Sequence, residues 1–143
     1  MLNKKLLEKY LLPFILLVSL VATFGSLYFS EVMKLPPCVL CWYQRIAMYP
    51  IAAIMAVGLF RNDKNAIYYV IPLSAIGIVI SAYHNLLYYK FIPEALTPCI
   101  QGISCTTKQI EWAGFVTIPF LSLLSFITIL ASSLLYLKIS KKN

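Results

Sequence analysis

The chain has 143 residues, of which 61% are hydrophobic and only 12% are charged, and its formal net charge is +7. This length predicts one domain covering 1–143, and the low charge excludes an ordinary water-soluble domain, in which about a quarter of the residues are charged. No basic stripe interleaved with aromatic residues accompanies the positive charge, so we expect no nucleic-acid partner.

Four stretches without a charged residue predict four membrane-spanning helices. The stretches are 10–30, 46–60, 65–89 and 112–137. A spanning helix needs about 20 apolar residues to cross the hydrocarbon core, where only a helix or a closed barrel satisfies every backbone group. We therefore expect an all-α membrane protein, a four-transmembrane-helix bundle embedded in lipid. Its predicted helices lie near 10–29, 41–60, 66–88 and 114–137.

Two of these helices need further argument. The first stretch is too long for the apolar region of a secretory signal peptide, and no clear cleavage site follows it, so we expect a retained helix. The second stretch is short, but it reaches spanning length if its helix starts near Cys41. That start places Arg45 inside the span.

The distribution of lysine and arginine predicts the orientation. Eight of them fall on one side of four alternating helices: Lys4, Lys5, Lys9, Arg61, Lys64, Lys138, Lys141 and Lys142. Since loops rich in these residues stay in the cytoplasm, we expect a multi-pass protein of the cytoplasmic membrane with both termini inside. The connections 30–41 and 89–113 are then outer loops.

All four cysteines lie in these predicted outer loops: Cys38, Cys41, Cys99 and Cys105. Thiols in an oxidising compartment favour disulfides, and an even number divided between two loops strengthens that expectation. Purely structural disulfides are one interpretation. A metal site is another, because a C-x₂-C pair and a later C-x₅-C pair could supply four thiolates.

A redox function is favoured by the context of the first pair, "PPCVLCWYQR". The two prolines deliver Cys38 in extended geometry to the start of the second helix. Cys41 then lies in the first helical turn, where the helix dipole favours an anion, so we expect a lowered thiol pKa and a reactive thiolate. Arg45 lies one turn further on the same face and would stabilise that thiolate. The alternative is an interfacial arginine that reaches the lipid headgroups.

The segment "CVLCWYQR", between the first two of four predicted helices, resembles the disulfide bond formation protein DsbB family. A second outer loop with another cysteine pair, followed by a tryptophan at the start of the last helix, fits the same family. The resemblance covers essentially the whole chain, and the short C-x₅-C spacing is similar to the BdbC-type branch. It implies a membrane thiol oxidase that reoxidises a secreted thioredoxin-like partner of the DsbA or BdbD kind. The electrons would pass to a membrane quinone, menaquinone or ubiquinone.

The resemblance also implies roles for individual residues. Cys99 and Cys105 would form the disulfide that the partner attacks at Cys99, and Cys105 would then attack Cys38 of a Cys38–Cys41 disulfide. Cys41 would be released as a thiolate that faces the quinone beside Arg45, and no bound metal is expected.

His84, the only histidine, is the remaining candidate. It lies near the outer end of the third helix, at about the depth of Arg45, and an ionisable residue within a span indicates function. Quinone reduction consumes protons that an imidazole can deliver, but a histidine hydrogen-bonded to a neighbour fits the sequence equally well. The resemblance to the DsbB family favours the quinone contact. The competing functions for the chain are a thiolate metal-binding membrane protein and a structural membrane subunit with loop disulfides.

Overall fold

The computed structural model describes residues 2–93 and 117–141. It contains four α-helices, α1 (Leu2–Leu27), α2 (Val39–Phe60), α3 (Ala66–Tyr88) and α4 (Ile118–Ser140). A short π-helix, Tyr28–Val32, continues α1. No strand occurs within the two described ranges, and the predicted all-α fold is confirmed.

All four helices are long and apolar enough to cross a membrane. The spans that satisfy length and hydropathy are Leu6–Val32, Val39–Phe60, Ala66–Tyr88 and Ile118–Ser140. Large apolar side chains cover the outside of the bundle; Phe60 is 90% exposed and Val79 is 69% exposed. Such a surface is unfavourable in water and favourable against lipid tails. The chain is therefore a multi-pass membrane protein.

The helices pack as an antiparallel ring. Each helix contacts its neighbours in the chain, and α4 returns to pack against α1. One fully buried isoleucine from each helix meets in the core: Ile15, Ile51, Ile67 and Ile129. Gly77 allows α3 and α4 to approach closely, because a Cβ atom at this position would overlap the Phe126 ring.

The observed helix ends have local chemical causes. α1 begins at Leu2 rather than at the predicted start near residue 10. The helix therefore includes the lysine-bearing segment that precedes the apolar stretch. α4 begins at Ile118 rather than near 114, since the Thr117 side chain accepts a hydrogen bond from the Phe120 N–H over 3.3 Å. Pro119 lies in the first turn, where its missing N–H costs nothing.

The ends of the bundle differ in chemistry. At one end, the exposed Lys64 donates from Nζ to Glu8 Oε1 over 3.0 Å, which joins the α2–α3 connection to α1. At the opposite end, the start of α2 meets the last turns of α1 and α3. This second end holds the candidate site.

Candidate active site

Cys38 and Cys41 form a close pair at the start of α2. Cys38 is the residue that caps the helix; its backbone is extended, with φ −72° and ψ 170°. Its sulfur accepts a hydrogen bond from the Cys41 N–H over 3.4 Å, and the two sulfur atoms lie 3.0 Å apart. Both thiols are free, so the structure presents the dithiol state of the pair. A Cys38–Cys41 disulfide stays a prediction.

The Cys38 sulfur is surrounded by groups that favour an anion. The hydrogen bond with the Cys41 thiol lowers the pKa of Cys38 well below its usual range, and His84 lowers it further, against the opposing effect of burial. The His84 Nε2 atom lies 3.8 Å from the sulfur. The sequence predicts the lowered pKa at Cys41. In the structure these contacts are made by Cys38 instead. Cys38 is the N-terminal capping residue of α2, and its sulfur accepts a hydrogen bond from the Cys41 N–H.

His84 on α3 joins the cysteine pair to Gln44 on α2. Its Nδ1 atom lies 3.0 Å from Gln44 Nε2, while its Nε2 atom faces Cys38. Both side chains are buried, with 2% of His84 and 6% of Gln44 exposed. The imidazole is therefore held through both of its ring nitrogens between the cysteine pair and the amide.

Arg45 is tied into the bundle. Its Nε donates to Ser26 Oγ over 2.8 Å, and its Nη2 donates to the Ser26 carbonyl oxygen over 2.7 Å. Its Cζ atom lies 5.3 Å from the centroid of the Trp42 ring, within the range of a cation–π interaction. Only 8% of Arg45 is exposed, so its guanidinium is buried between α1 and α2.

A cavity of about 270 Å³ lies between α1, α2 and α4, next to this guanidinium. Cys41, Gln44 and Arg45 of α2 form its polar side. The rest of its wall is mostly apolar, with Phe29 in the π-helix that continues α1 and Leu121 on α4. A mainly apolar cavity with a few convergent polar groups is the usual form of a small-molecule site.

The structure thus brings four of the predicted residues to one end of the bundle. Cys41 and Arg45 border the cavity, whereas Cys38 and His84 are not among its lining residues; His84, on α3, faces the Cys38 sulfur. Gln44 stands between His84 and the cavity. Cys99 and Cys105 lie outside the described residues.

Ser26 and Gln44 are site residues that the sequence reasoning missed. Gln44 carries a usable signal, because a polar side chain just before an arginine in a membrane span tends to face the bundle interior. Ser26 carries no comparable signal. Its partner is 19 positions away on another helix, and only the packing of α1 on α2 brings the two together.

The same end of the bundle offers a set of metal ligands. The Cys38 and Cys41 sulfurs and a ring nitrogen of His84 lie within 4.8 Å of one another. The four-cysteine metal site considered from the sequence includes Cys99 and Cys105, which lie outside the described ranges.

Comparison with known proteins identifies relatives along most of the chain. The family model described as "Disulfide bond formation protein DsbB" matches residues 8–136. "Disulfide bond formation protein C" of Bacillus subtilis (strain 168) is 46% identical over 115 residues, which cover 79% of this chain and 82% of the relative. "Probable disulfide formation protein C 1" of Bacillus anthracis is 45% identical over 84% of this chain and 86% of its own length. No solved structure gives a significant match.

Proposed function

Because the chain belongs to the DsbB family of disulfide bond formation proteins, we propose that it is a quinone-dependent thiol oxidase. The resemblance noted from "CVLCWYQR" is confirmed by this membership, and the chain is a membrane protein of disulfide formation. The proposal adds an electron donor and an electron acceptor. The donor is a secreted thioredoxin-like protein of the DsbA or BdbD kind, and the acceptor is a membrane quinone, menaquinone or ubiquinone.

The cavity shared by Cys41 and Arg45 is the main support for a quinone. Its apolar wall suits a flat ring, and its volume of about 270 Å³ is just below the usual range of about 300–1,000 Å³ for small-molecule sites, which suits a single head group. A quinone bound there would supply the acceptor for two electrons and two protons. The Arg45 guanidinium, held by Ser26, would place a fixed positive charge beside a ring oxygen.

Electrons would reach this cavity through two cysteine pairs in series. In the proposed order, a thiolate of the reduced partner attacks Cys99, and the partner leaves oxidised with Cys99 and Cys105 as thiols. Cys105 then attacks Cys38 of the Cys38–Cys41 disulfide, which re-forms the loop disulfide and leaves Cys38 and Cys41 reduced. Each exchange moves two electrons and breaks one S–S bond for each that forms. Cys41, which borders the cavity, is the sulfur from which the electrons leave.

His84 and Gln44 are proposed to handle protons next to this pair. The imidazole holds a proton within reach of the Cys38 sulfur, and Gln44 extends from His84 to the cavity wall. A proton lost by the thiols thus has polar groups along its way to the cavity. Gln44 lies between His84 and the cavity. A direct contact between His84 and the quinone therefore stays a prediction.

We also propose that the cysteine end faces the outside and that both termini are cytoplasmic. The lysine- and arginine-rich segments at 4–9, 61–64 and 138–142 belong to the opposite end of the four alternating helices, as the positive-inside rule requires of the cytoplasmic side. This orientation would put the Cys99–Cys105 pair on the same side of the membrane as a secreted partner.

The test uses the purified full-length chain in detergent with a reduced DsbA-like protein and a soluble quinone analogue. We expect loss of the quinone absorbance together with oxidation of the partner, and no turnover by Cys41→Ser. Ser19→Ala is a matched control, because Ser19 is buried on α1 and bonds only its own helix, at the Leu16 carbonyl. Full turnover by Cys41→Ser would contradict the proposed electron route.

A further inference from the structure

Cys38, Cys41 and His84 converge from two helices so that their ligand atoms lie within 4.8 Å of one another. Two thiolates and one imidazole form a donor set that suits zinc and other thiophilic cations. We propose that the dithiol state of this pair binds a thiophilic divalent cation, with Zn²⁺ as its representative. The three side chains would be its protein ligands, and the disulfide state would not bind it.

The distance between the Cys38 sulfur and the His84 ring nitrogen is close to that of a zinc site. Tetrahedral zinc with Zn–S bonds of about 2.3 Å and a Zn–N bond of about 2.05 Å separates two sulfurs by about 3.8 Å and a sulfur from a nitrogen by about 3.6 Å. The Cys38 sulfur lies 3.8 Å from His84 Nε2 and 3.0 Å from the Cys41 sulfur. The two sulfurs must therefore separate, and the Cys41 sulfur, which lies within 4.8 Å of the His84 nitrogen, must come to about 3.6 Å from it. Cys41 borders a cavity that leaves its side chain room for this adjustment. A water molecule in that cavity would supply the fourth ligand.

The charge balance suits a buried position. Cys38 is 6% exposed and His84 is 2% exposed, so an ion there is largely removed from water. A lone charge in such a place is strongly disfavoured, but Zn²⁺ and two thiolates sum to zero. Binding releases the protons that the two thiols still hold, and no electron is transferred.

Gln44 can orient the imidazole for metal binding. When His84 Nε2 coordinates the ion, Nδ1 carries the ring proton and needs an acceptor. The Gln44 amide lies 3.0 Å from Nδ1, and a half-turn of the amide presents its oxygen instead of its nitrogen. Gln44 is thus a positioning residue for the cation as well as part of the cavity wall.

This site would be gated by the redox state of the pair. Oxidation to the disulfide removes both thiolates, so the cation can bind only after electrons have arrived from a donor. A bound cation would then hold the pair reduced and stop further turnover. The site requires a reducible cysteine pair and does not depend on a quinone or on the identity of the partner.

The experiment uses the full-length chain in detergent with Cys99→Ser and Cys105→Ser, so that its thiols are those of the proposed site. The reduced protein is titrated with Zn²⁺ against a chromophoric zinc indicator, and the bound zinc is examined by X-ray absorption. We expect one zinc per chain with two sulfur ligands and one imidazole nitrogen, and none after oxidation. Gln44→Leu should weaken binding about 10- to 100-fold, as expected for the loss of a partner that orients a ligand. His84→Phe should weaken it more and remove the nitrogen signal.

Ser19→Ala is the matched control, because Ser19 is buried on α1, bonds only the Leu16 carbonyl and does not border the cavity. It should bind zinc as the parent chain does. The proposal is overturned if the reduced chain fails to compete with the indicator, if the oxidised chain binds equally, or if X-ray absorption of the parent chain shows no nitrogen ligand. The last measurement decides even if His84→Phe does not fold. No quinone or partner is present, so failure here leaves the proposed oxidase function intact.

Discussion

Arg45 is bound to Ser26 through two of its nitrogens, with Nε on the hydroxyl at 2.8 Å and Nη2 on the carbonyl at 2.7 Å. The pair connects α2 to α1 at the wall of the cavity. Because both contacts come from one residue, Ser26 determines where the guanidinium stands.

Ser26→Ala should weaken the use of quinone without abolishing it. The variant removes the hydroxyl acceptor but keeps the carbonyl, and a hydrogen bond to a charged group contributes about 1.5 kcal/mol at the lower end of its range, or about tenfold. We expect the KM for a soluble quinone to rise by about that factor. Steady-state quinone reduction measures it. An unchanged KM, equal to that of Ser19→Ala, would show that Ser26 does not position Arg45 for the quinone.

Arg45→Met should lower quinone reduction more than Arg45→Lys. Methionine removes the charge, whereas lysine keeps a charge but cannot reproduce the two-point attachment of the guanidinium to Ser26. We expect the order wild type, Arg45→Lys, Arg45→Met in kcat/KM for quinone. Thiol exchange with the reduced partner, measured in a single turnover without quinone, should be nearly equal in all three. An equal loss of activity in both assays would show that Arg45 is needed for folding rather than for electron transfer.

Cys38 should remain ionised in the reduced protein below neutral pH. The hydrogen bond with the Cys41 thiol is the largest cause of its lowered pKa, and His84 adds to it. A thiol with a lowered pKa is an anion above that pKa and is protonated as the pH falls through it. We expect thiolate absorbance, in a chain with Cys99→Ser and Cys105→Ser, to persist into the acid range. Cys41→Ala should move the transition upward towards the ordinary value of 9.0. If the Cys41→Ala variant and the parent chain titrated at the same pH, the Cys41 thiol would not be the cause of the lowered Cys38 pKa.

Gly77→Ala should destabilise the bundle, whereas Gly25→Ala should not. A Cβ atom at Gly77 would overlap the fully buried Phe126 ring, but nothing lies within 4 Å of the Cβ position at Gly25. Overpacking of this kind costs about 1–3 kcal/mol. Thermal unfolding in detergent measures the difference. Equal melting temperatures for the two variants would mean that the α3–α4 contact relaxes at little cost.

The helices could be predicted because the membrane imposes a simple requirement. A charge-free stretch of about 20 residues must form backbone hydrogen bonds within itself, which leaves a helix as the local solution. The exact residue at which a helix begins depends on single side chains. The Thr117 cap, which starts α4 at Ile118, cannot be recognised from the hydropathy of the sequence. Loop and helix ends were therefore less predictable than the spans.

The site was only partly predictable. The spacing of Cys41 and Arg45 places both on one helix face, and both border the cavity. The contacts of Cys38 with His84 and of Arg45 with Ser26 join different helices, so they depend on how the bundle is packed. These contacts between helices cannot be predicted from the residue pattern along a single helix.

The two sulfurs at the start of α2 differ in what can reach them. Cys38 is only 6% exposed, while Cys41 opens onto a cavity among the helices. A small soluble reductant such as glutathione therefore has little exposed surface of Cys38 to attack, whereas Cys41 can be reached through the cavity. Attack on Cys38 would then need a nucleophile that a tethered segment brings to it, and the rate of this delivery would limit turnover.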